Sequence, residues 1–200
     1  MSIRFCAMKK KNAIVITGTP GTGKSSVAEI VAEKMGAKLF SLNIVAAESG
    51  ALCAKDSATD SRLVRTSVLR KALSKVLGEV DGEAVVEGHF GELVPKAHVS
   101  MAIVLRSNPF TLKERLSKRG YSVEKVNENV EAELLDSCLI AAVESFGDGS
   151  VREIDTTELT PEEAAEEALL AISGKGGLPA GSLSWVTRLE GEGRLLELIR

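Results

Sequence analysis

Short runs of consecutive apolar, often β-branched residues alternate along this chain with longer stretches in which apolar residues recur every three or four positions. Runs of the first kind read as buried strands and stretches of the second kind as amphipathic helices. On that basis Ala13-Ile14-Val15-Ile16, Lys38-Leu39-Phe40, Ala84-Val85-Val86-Glu87-Gly88-His89, Val99 to Leu105 and Val151 to Asp155 are strands. Ser26 to Met35 is a helix, with Val27, Ile30, Val31 and Met35 on one face. Leu42 to Glu48 and about Asp60 to Gly78 also read as helices, the latter through a stripe of Leu63, Leu69, Leu73, Val76 and Leu77. Pro109 to Lys118 and about Val123 to Phe146 follow, and Thr160-Pro161-Glu162-Glu163 opens a last helix that ends near Gly174. The polar stretch Gly50 to Ser61 is expected to be a mobile connection. Strands alternating with helices predict a parallel sheet covered on both faces. Ligands of such sheets bind beyond the carboxyl ends of the strands, so the segments that follow the strands should gather on one edge.

One of those segments carries a motif. Gly18-Thr19-Pro20-Gly21-Thr22-Gly23-Lys24-Ser25 fits G-x-x-x-x-G-K-[ST] at every defined position, between a predicted strand and a predicted helix. Glycines permit dihedrals that side chains forbid, so several backbone N–H groups can converge on one phosphate. The positive end of the following helix lies at the same place. Lys24 can reach β- and γ-phosphates, and the Ser25 hydroxyl can hold Mg²⁺. Gly21, Thr22, Gly23, Lys24, Ser25 and Ser26 are thus the candidate triphosphate site, with ATP and Mg²⁺ the implied ligands.

Three further groups stand after predicted strands or on basic helix faces. Glu87 is placed where P-loop proteins keep the acid that orders Mg²⁺ or its water; a capping or ion-pairing carboxylate is the alternative. His89 titrates near neutrality and could position water or shuttle a proton, or be a structural histidine. Arg106, Lys113, Arg115, Lys118, Arg119 and Lys125 form a basic stretch. Arg115 and Arg119, four apart, share a helix face, and guanidinium forks suit phosphate oxygens. A solvated basic face is the alternative, but Arg119 beside Gly120-Tyr121 suits a hinged lid better.

Composition narrows the classes. The 200 residues carry a net charge of −3 and only 4% aromatics, which argues against a general nucleic-acid binder or a base-stacking platform; no direct sequence-specific nucleic-acid binding is expected. Cys6, Cys53 and Cys138 are odd in number and lack metal-ligand spacing, so free thiols in a reducing cytoplasmic compartment are expected. No apolar run reaches spanning length, so no membrane is expected. Lys9-Lys10-Lys11 follows rather than precedes the apolar residues of the first segment, the reverse of a signal peptide; Met1 and Met8 are both candidate starts. Gly174 to Gly181 reads as a linker. Beyond it, Trp185 and the run Leu195-Leu196-Leu198-Ile199 are expected to seek burial on the core, a partner being the alternative.

Taken together these stretches resemble the adenylate kinase isoenzyme 6 family of small P-loop kinases and ATPases. The resemblance is carried by Thr17 to Ser25, Val85-Val86-Glu87-Gly88-His89, Val104-Leu105-Arg106, Leu112-x-x-Arg115-Leu116-x-x-Arg119-Gly120-Tyr121 and Asn129-Val130-x-x-Glu133. It implies an α/β, three-layer P-loop NTPase fold of the nucleoside monophosphate kinase kind, with a central five-stranded parallel sheet. The kinase domain would span 1–173, with an acceptor-nucleotide region at about 41–62 and a lid at about 118–128; 174–200 would be a linker and tail. The implied activity is phosphoryl transfer from ATP to AMP or another nucleoside monophosphate, together with ATP hydrolysis. Lys24, His89 and Arg119 are the implied catalytic residues, and Ser25 and Glu87 the metal-holding pair. A role in small-ribosomal-subunit maturation, with a small-subunit ribosomal protein as partner, is implied as well. Glu87 stands where the family usually has aspartate. Ala47 stands where members often carry an arginine for the acceptor, with Arg62 or Arg65 as compensating candidates. The tail after Gly174 has no placed counterpart.

Overall fold

A computed structural model describes residues 12–55 and 62–199. Its sheet is built from β1 (Ala13–Gly18), β2 (Lys38–Ser41), β5 (Ala84–Glu87), β6 (Val99–Arg106), β7 (Val151–Asp155) and β8 (Leu178–Pro179), in the order β2-β5-β1-β6-β7-β8. The first five are mutually parallel, as the alternating pattern predicts. The sixth comes from the segment expected to be a linker and lies antiparallel on the edge, Glu153 opposite Leu178.

Helices cover both faces because the central strands are apolar on both sides. Ile14, Ile16, Ile103 and Leu105 meet α1 (Lys24–Met35) and α7 (Pro161–Ile172) through Val27, Val31, Ala165 and Ala168. Val15, Val86 and Val104 face the other way, against α3 (Thr66–Gly78) and α6 (Ser137–Phe146), where Leu69, Leu73, Leu77, Leu139 and Phe146 are buried. A strand buried on both faces loses the polar alternation of a half-exposed one, which is why these runs were legible as continuous apolar segments.

Local signals set the helix starts. Thr160 and Glu163 close a reciprocal capping box at α7, Thr160 N to Glu163 Oε2 at 2.9 Å and Glu163 N to Thr160 Oγ1 at 3.2 Å, with Pro161 in the first turn. Asn108 caps α4 (Pro109–Lys118) by accepting from Phe110 N at 2.9 Å; its Leu112 and Leu116 are fully buried.

Two expected elements differ. The helix expected over Val123–Phe146 is two, α5 (Val123–Leu134) and α6, broken at Asp136, which sits at φ 56°. A non-glycine residue held there costs about 1–3 kcal/mol, and the ion pair of Asp136 with Arg106 holds it. The helix expected from about Asp60 begins at Thr66. Before it, β4 (Arg62–Val64) pairs antiparallel with β3 (Leu52–Lys55). Leu63 is exposed there rather than part of the buried stripe. The rest of the expected mobile connection, at 56–61, lies outside the described residues, as do Cys6, Lys9-Lys10-Lys11 and both candidate starts. α2 (Leu42–Glu48) is found as expected.

The end of the chain packs on the molecule. Trp185 and Leu189 of α8 (Trp185–Gly191) are fully buried against Leu134, flanked by Phe110, Leu195 and Leu198; Leu198 lies in the short α9 (Leu196–Ile199).

Candidate active site

β1 runs into the glycine loop, and the loop into α1. Gly21 has φ 96°, and a Cβ there would stand 2.7 Å from Leu112 Cδ1. Gly23 has φ 93°, with nothing within 4 Å of where a Cβ would be. The first residue is demanded by packing and backbone together, the second by backbone alone, and the loop's outer side is open. The loop is braced from within. Thr22 Oγ1 donates to Thr19 O at 2.9 Å, and Thr156 Oγ1 at the end of β7 donates to Thr22 O at 3.1 Å. The first N–H groups of α1 lack intrahelical acceptors and carry the positive end of the helix dipole.

Lys24 folds back over this loop, its Nζ donating to Thr19 O at 2.9 Å. Burial pulls its ammonium from 10.5 to about 8, with Glu87 and Glu133 offsetting part of the effect. Ser25 Oγ donates to Glu87 Oε2 at 3.1 Å. Glu87 ends β5 and is buried, so a hydroxyl and a carboxylate converge beside the loop. Such hard oxygen donors are what a magnesium ion takes.

His89 lies two residues on. Its Nδ1 is 3.2 Å from Gly18 O, and a carbonyl can only accept, so Nδ1 carries the hydrogen and Nε2 is the basic nitrogen. Burial is the main cause that lowers its pKa, and the charge of Lys24 adds to it; the ring is neutral at neutral pH. Cys138 Sγ sits 3.5 Å from the same Nδ1. Burial pushes that thiol up to about 11, so it stays protonated.

Two cavities open at this edge. One, of about 400 Å³, is lined by Gly21, Thr22, Gly23 and Ser26 on one side and by Arg115, Lys118 and Arg119 on the other. Arg119, the residue after α4, is exposed. Leu159, Pro161 and Ala164 supply an apolar wall. The second, of about 430 Å³, lies beside His89 and Phe90 and is lined by Leu42, Asn43, Ala46, Ala47, Leu52, Val64 and Leu69. None of these is cationic. Of the compensating candidates, Arg65 Nη2 bonds to Gly50 O, and the Arg62 side chain lies outside the described residues.

The basic stretch divides. Arg119 and Lys118 line the first cavity, whereas Arg115 also reaches the β7 end, donating to Thr156 O at 3.0 Å and Thr157 O at 2.9 Å. Arg106, expected after its strand, is the last residue of β6; it is only 1% exposed and does not present its fork to a phosphate. Its Nε donates to Glu133 Oε1 at 2.8 Å and its Nη1 to Glu153 Oε2 at 2.5 Å, while Nη2 bonds to Asp136 and to Glu133 O. Burial alone would lower its pKa, but Glu133 and Asp136 more than offset that and raise it. Sequence reasoning did not anticipate that Glu133 also holds the loop: its Oε2 accepts from Thr19 Oγ1 at 2.5 Å. The Asn129-Val130-x-x-Glu133 stretch was the available signal.

Comparison with known proteins follows the same lines. The family model described as AAA domain matches residues 14–136. A protein of Methanococcus maripaludis named "Putative adenylate kinase" is 38% identical over 178 residues, covering 86% of this chain and 94% of that protein. One of the same name from Pyrococcus furiosus is 42% identical over 173 residues, with 86% and 90% covered. Among solved structures, a sugar kinase from Janibacter is similar with a TM-score of 0.55 at 19% identity, over 82% of this chain and 95% of that one. A shikimate kinase from Bacteroides thetaiotaomicron gives 0.52 at 14%, over 82% and 98%. At those identities the structures speak for the P-loop kinase fold alone. With the P-loop, the strand-histidine element and the Arg-Gly-Tyr turn assembled on that fold, and with archaeal relatives this similar over most of both chains, the protein belongs to the adenylate kinase family of the isoenzyme 6 type.

Proposed function

We propose that this protein transfers the terminal phosphoryl group of ATP to AMP and also hydrolyses ATP. The observation that carries the reading is the convergence on one cavity of the phosphate loop and the basic edge of Arg115, Lys118 and Arg119, with Lys24 folded over that loop. In this reading the region at about 118–128 is the lid, and the region at about 41–62 receives the acceptor. Lys24 exchanges the Thr19 carbonyl for a phosphate oxygen, and Arg119 closes over the γ-phosphoryl group. Both then neutralise charge that builds as an AMP phosphate oxygen bonds to the γ-phosphorus and the bridging bond to the β-phosphate breaks, leaving two ADP. Ser25 and Glu87 would hold a magnesium ion, which when bound would supply charge neutralisation to the triphosphate. In hydrolysis, His89 Nε2 takes a proton from the attacking water. The reaction calls for no membrane, and among the described residues no helix is long and apolar enough to cross one; a cytoplasmic site of action is part of the proposal.

The test is a coupled measurement of ATP loss with and without AMP. The reading expects AMP to accelerate ATP loss, with two ADP formed per ATP consumed. Phosphate release at one rate whether or not AMP is present would reject it.

Among the described residues the lining of the second cavity, with Ala47 in it, carries no cation, and this favours a second reading. There ATP binding and hydrolysis switch the grip on a small-subunit ribosomal protein during subunit maturation, and AMP is incidental. Capture of that protein with ATP but not with ADP supports it; equal capture in both states counts against it.

A further inference from the structure

We propose that the C-terminal segment sets the phosphate loop in place through Trp185 and Glu133, with Glu133 a positioning residue for the loop and the Trp185 indole the clamp on its carboxylate. The proposal rests on the nucleotide-binding reading of the loop.

The path is continuous. Trp185 Nε1 donates to Glu133 Oε1 at 3.0 Å, and the other oxygen of that carboxylate accepts from Thr19 Oγ1 at 2.5 Å. Thr19 is the second residue of the loop, and its carbonyl holds Lys24 Nζ at 2.9 Å. From the indole to the loop lysine the path is three protein hydrogen bonds, the last two joined through Thr19 itself. The first two of these bonds are made by groups at most 1% exposed, where a hydrogen bond is electrostatically stronger than in water.

The tail grips the same cluster at a second point. Ser182 N and Leu183 N donate to Glu153 Oε1 at 3.0 and 3.4 Å, and the other Glu153 oxygen takes Arg106. Arg106 joins the two carboxylates. A third hold falls on α4 and its junction with α5. Arg194 stacks 4.0 Å from the centre of the Phe110 ring at the start of α4, and Leu198 packs on the cluster of Leu112, Leu116, Val126 and Val130 that joins α4 to α5. The segment therefore braces both the loop and the base of the arm that ends in Arg119.

Burial alone does not account for the indole. A phenylalanine would fill an apolar slot between Leu134 and Leu189, whereas the N–H is aimed at the carboxylate that holds Thr19. Without it, Glu133 Oε1 keeps Arg106 Nε and Ser107 N, the latter at 3.2 Å; the charge stays paired but its orientation is less constrained. Coupling is reciprocal. A nucleotide that draws Lys24 off the Thr19 carbonyl must then be felt at Trp185, the chain's single tryptophan.

The full-length protein is titrated with ADP, followed both by calorimetry and by tryptophan emission. Emission should change and saturate along the calorimetric isotherm. Thr19→Val should bind ADP more weakly by calorimetry, as Trp185→Phe does, and at saturating ADP should lose the emission change. Trp185→Phe should weaken ADP binding roughly tenfold, the scale of one hydrogen bond to a charged group, and should raise KM for ATP while leaving KM for AMP unchanged. Silent emission during calorimetric binding, or wild-type ADP affinity in Trp185→Phe, overturns the coupling and leaves the nucleotide reading intact. Should Trp185→Phe not fold, Thr19→Val decides from the other end of the path: an emission change as large as the wild type's overturns the coupling. No calorimetric binding to the wild type would reject the nucleotide reading, and this proposal with it.

Discussion

Replacing Lys24 by methionine should make the protein more stable while abolishing turnover. The magnitude follows from where the ammonium sits. Its pKa falls from 10.5 to about 8 in the folded chain, chiefly through burial. At about 1.4 kcal/mol per tenfold, that corresponds to about 3 kcal/mol against keeping the cation in place. Water reaching it through the open side of the cavity trims this to about 2 kcal/mol. The substitution orphans no acceptor, because Thr19 O keeps Thr22 Oγ1 at 2.9 Å. The sign with pH is fixed by linkage. Below about pH 8 both states hold the proton and the folded protein bears the full cost; between about 8 and 10.5 the native state releases it first, so wild-type stability climbs. Urea unfolding of both proteins at pH 7 and above pH 10.5 is the assay. With a slope of about 2–3 kcal/mol per molar, the variant's midpoint should lie about 1 M higher at pH 7, and the gap should close at the alkaline end. ADP at saturating concentration should reverse the order at pH 7, since a phosphate pairs the ammonium that the variant lacks. A variant no more stable than wild type at pH 7, or one whose advantage persists unchanged at high pH, refutes the reasoning.

Arg106→Met should lose about 3–5 kcal/mol, the cost of leaving a buried carboxylate unpaired, because Glu133 and Glu153 are 1% and 0% exposed; adding Glu153→Gln should recover part of that loss in urea midpoints, and no recovery would argue against a charge origin. Gly21→Ala combines φ 96° with a Cβ 2.7 Å from Leu112 Cδ1, so it should weaken ADP binding by at least tenfold in calorimetry and lower stability by about 1–3 kcal/mol. Wild-type affinity in that variant would show that the loop does not need its present shape.

Relatively little of the chain had to be known in three dimensions to read the loop and its flanks. Lys24, Ser25 and the glycines are neighbours in sequence, and a strand, a turn and a helix carry their own local signals, so the phosphate-binding geometry is nearly a local property. The central strands β1, β5 and β6 were legible for a related reason: a strand buried on both faces writes itself as a nearly unbroken apolar run. Glu87 and Arg119 were singled out from their places, after a strand and at a helix end; that Glu87 belongs with Ser25 was what the family resemblance implied, and the hydrogen bond between them and the place of Arg119 on the cavity came from the fold.

What followed only from the fold is long-range pairing. Arg106 could as well have faced phosphate until Glu133, Asp136 and Glu153, 27 to 47 residues away in the chain, surrounded it. The break between α5 and α6 is held by that same cluster and leaves no mark in the local pattern. Trp185 shows in the sequence only as an aromatic residue in a short tail; its bond to the carboxylate that grips Thr19 spans 52 residues. Propensity and periodicity act over a turn or a strand, whereas a buried charge must find its partners wherever the packed chain brings them, and tertiary structure decides that.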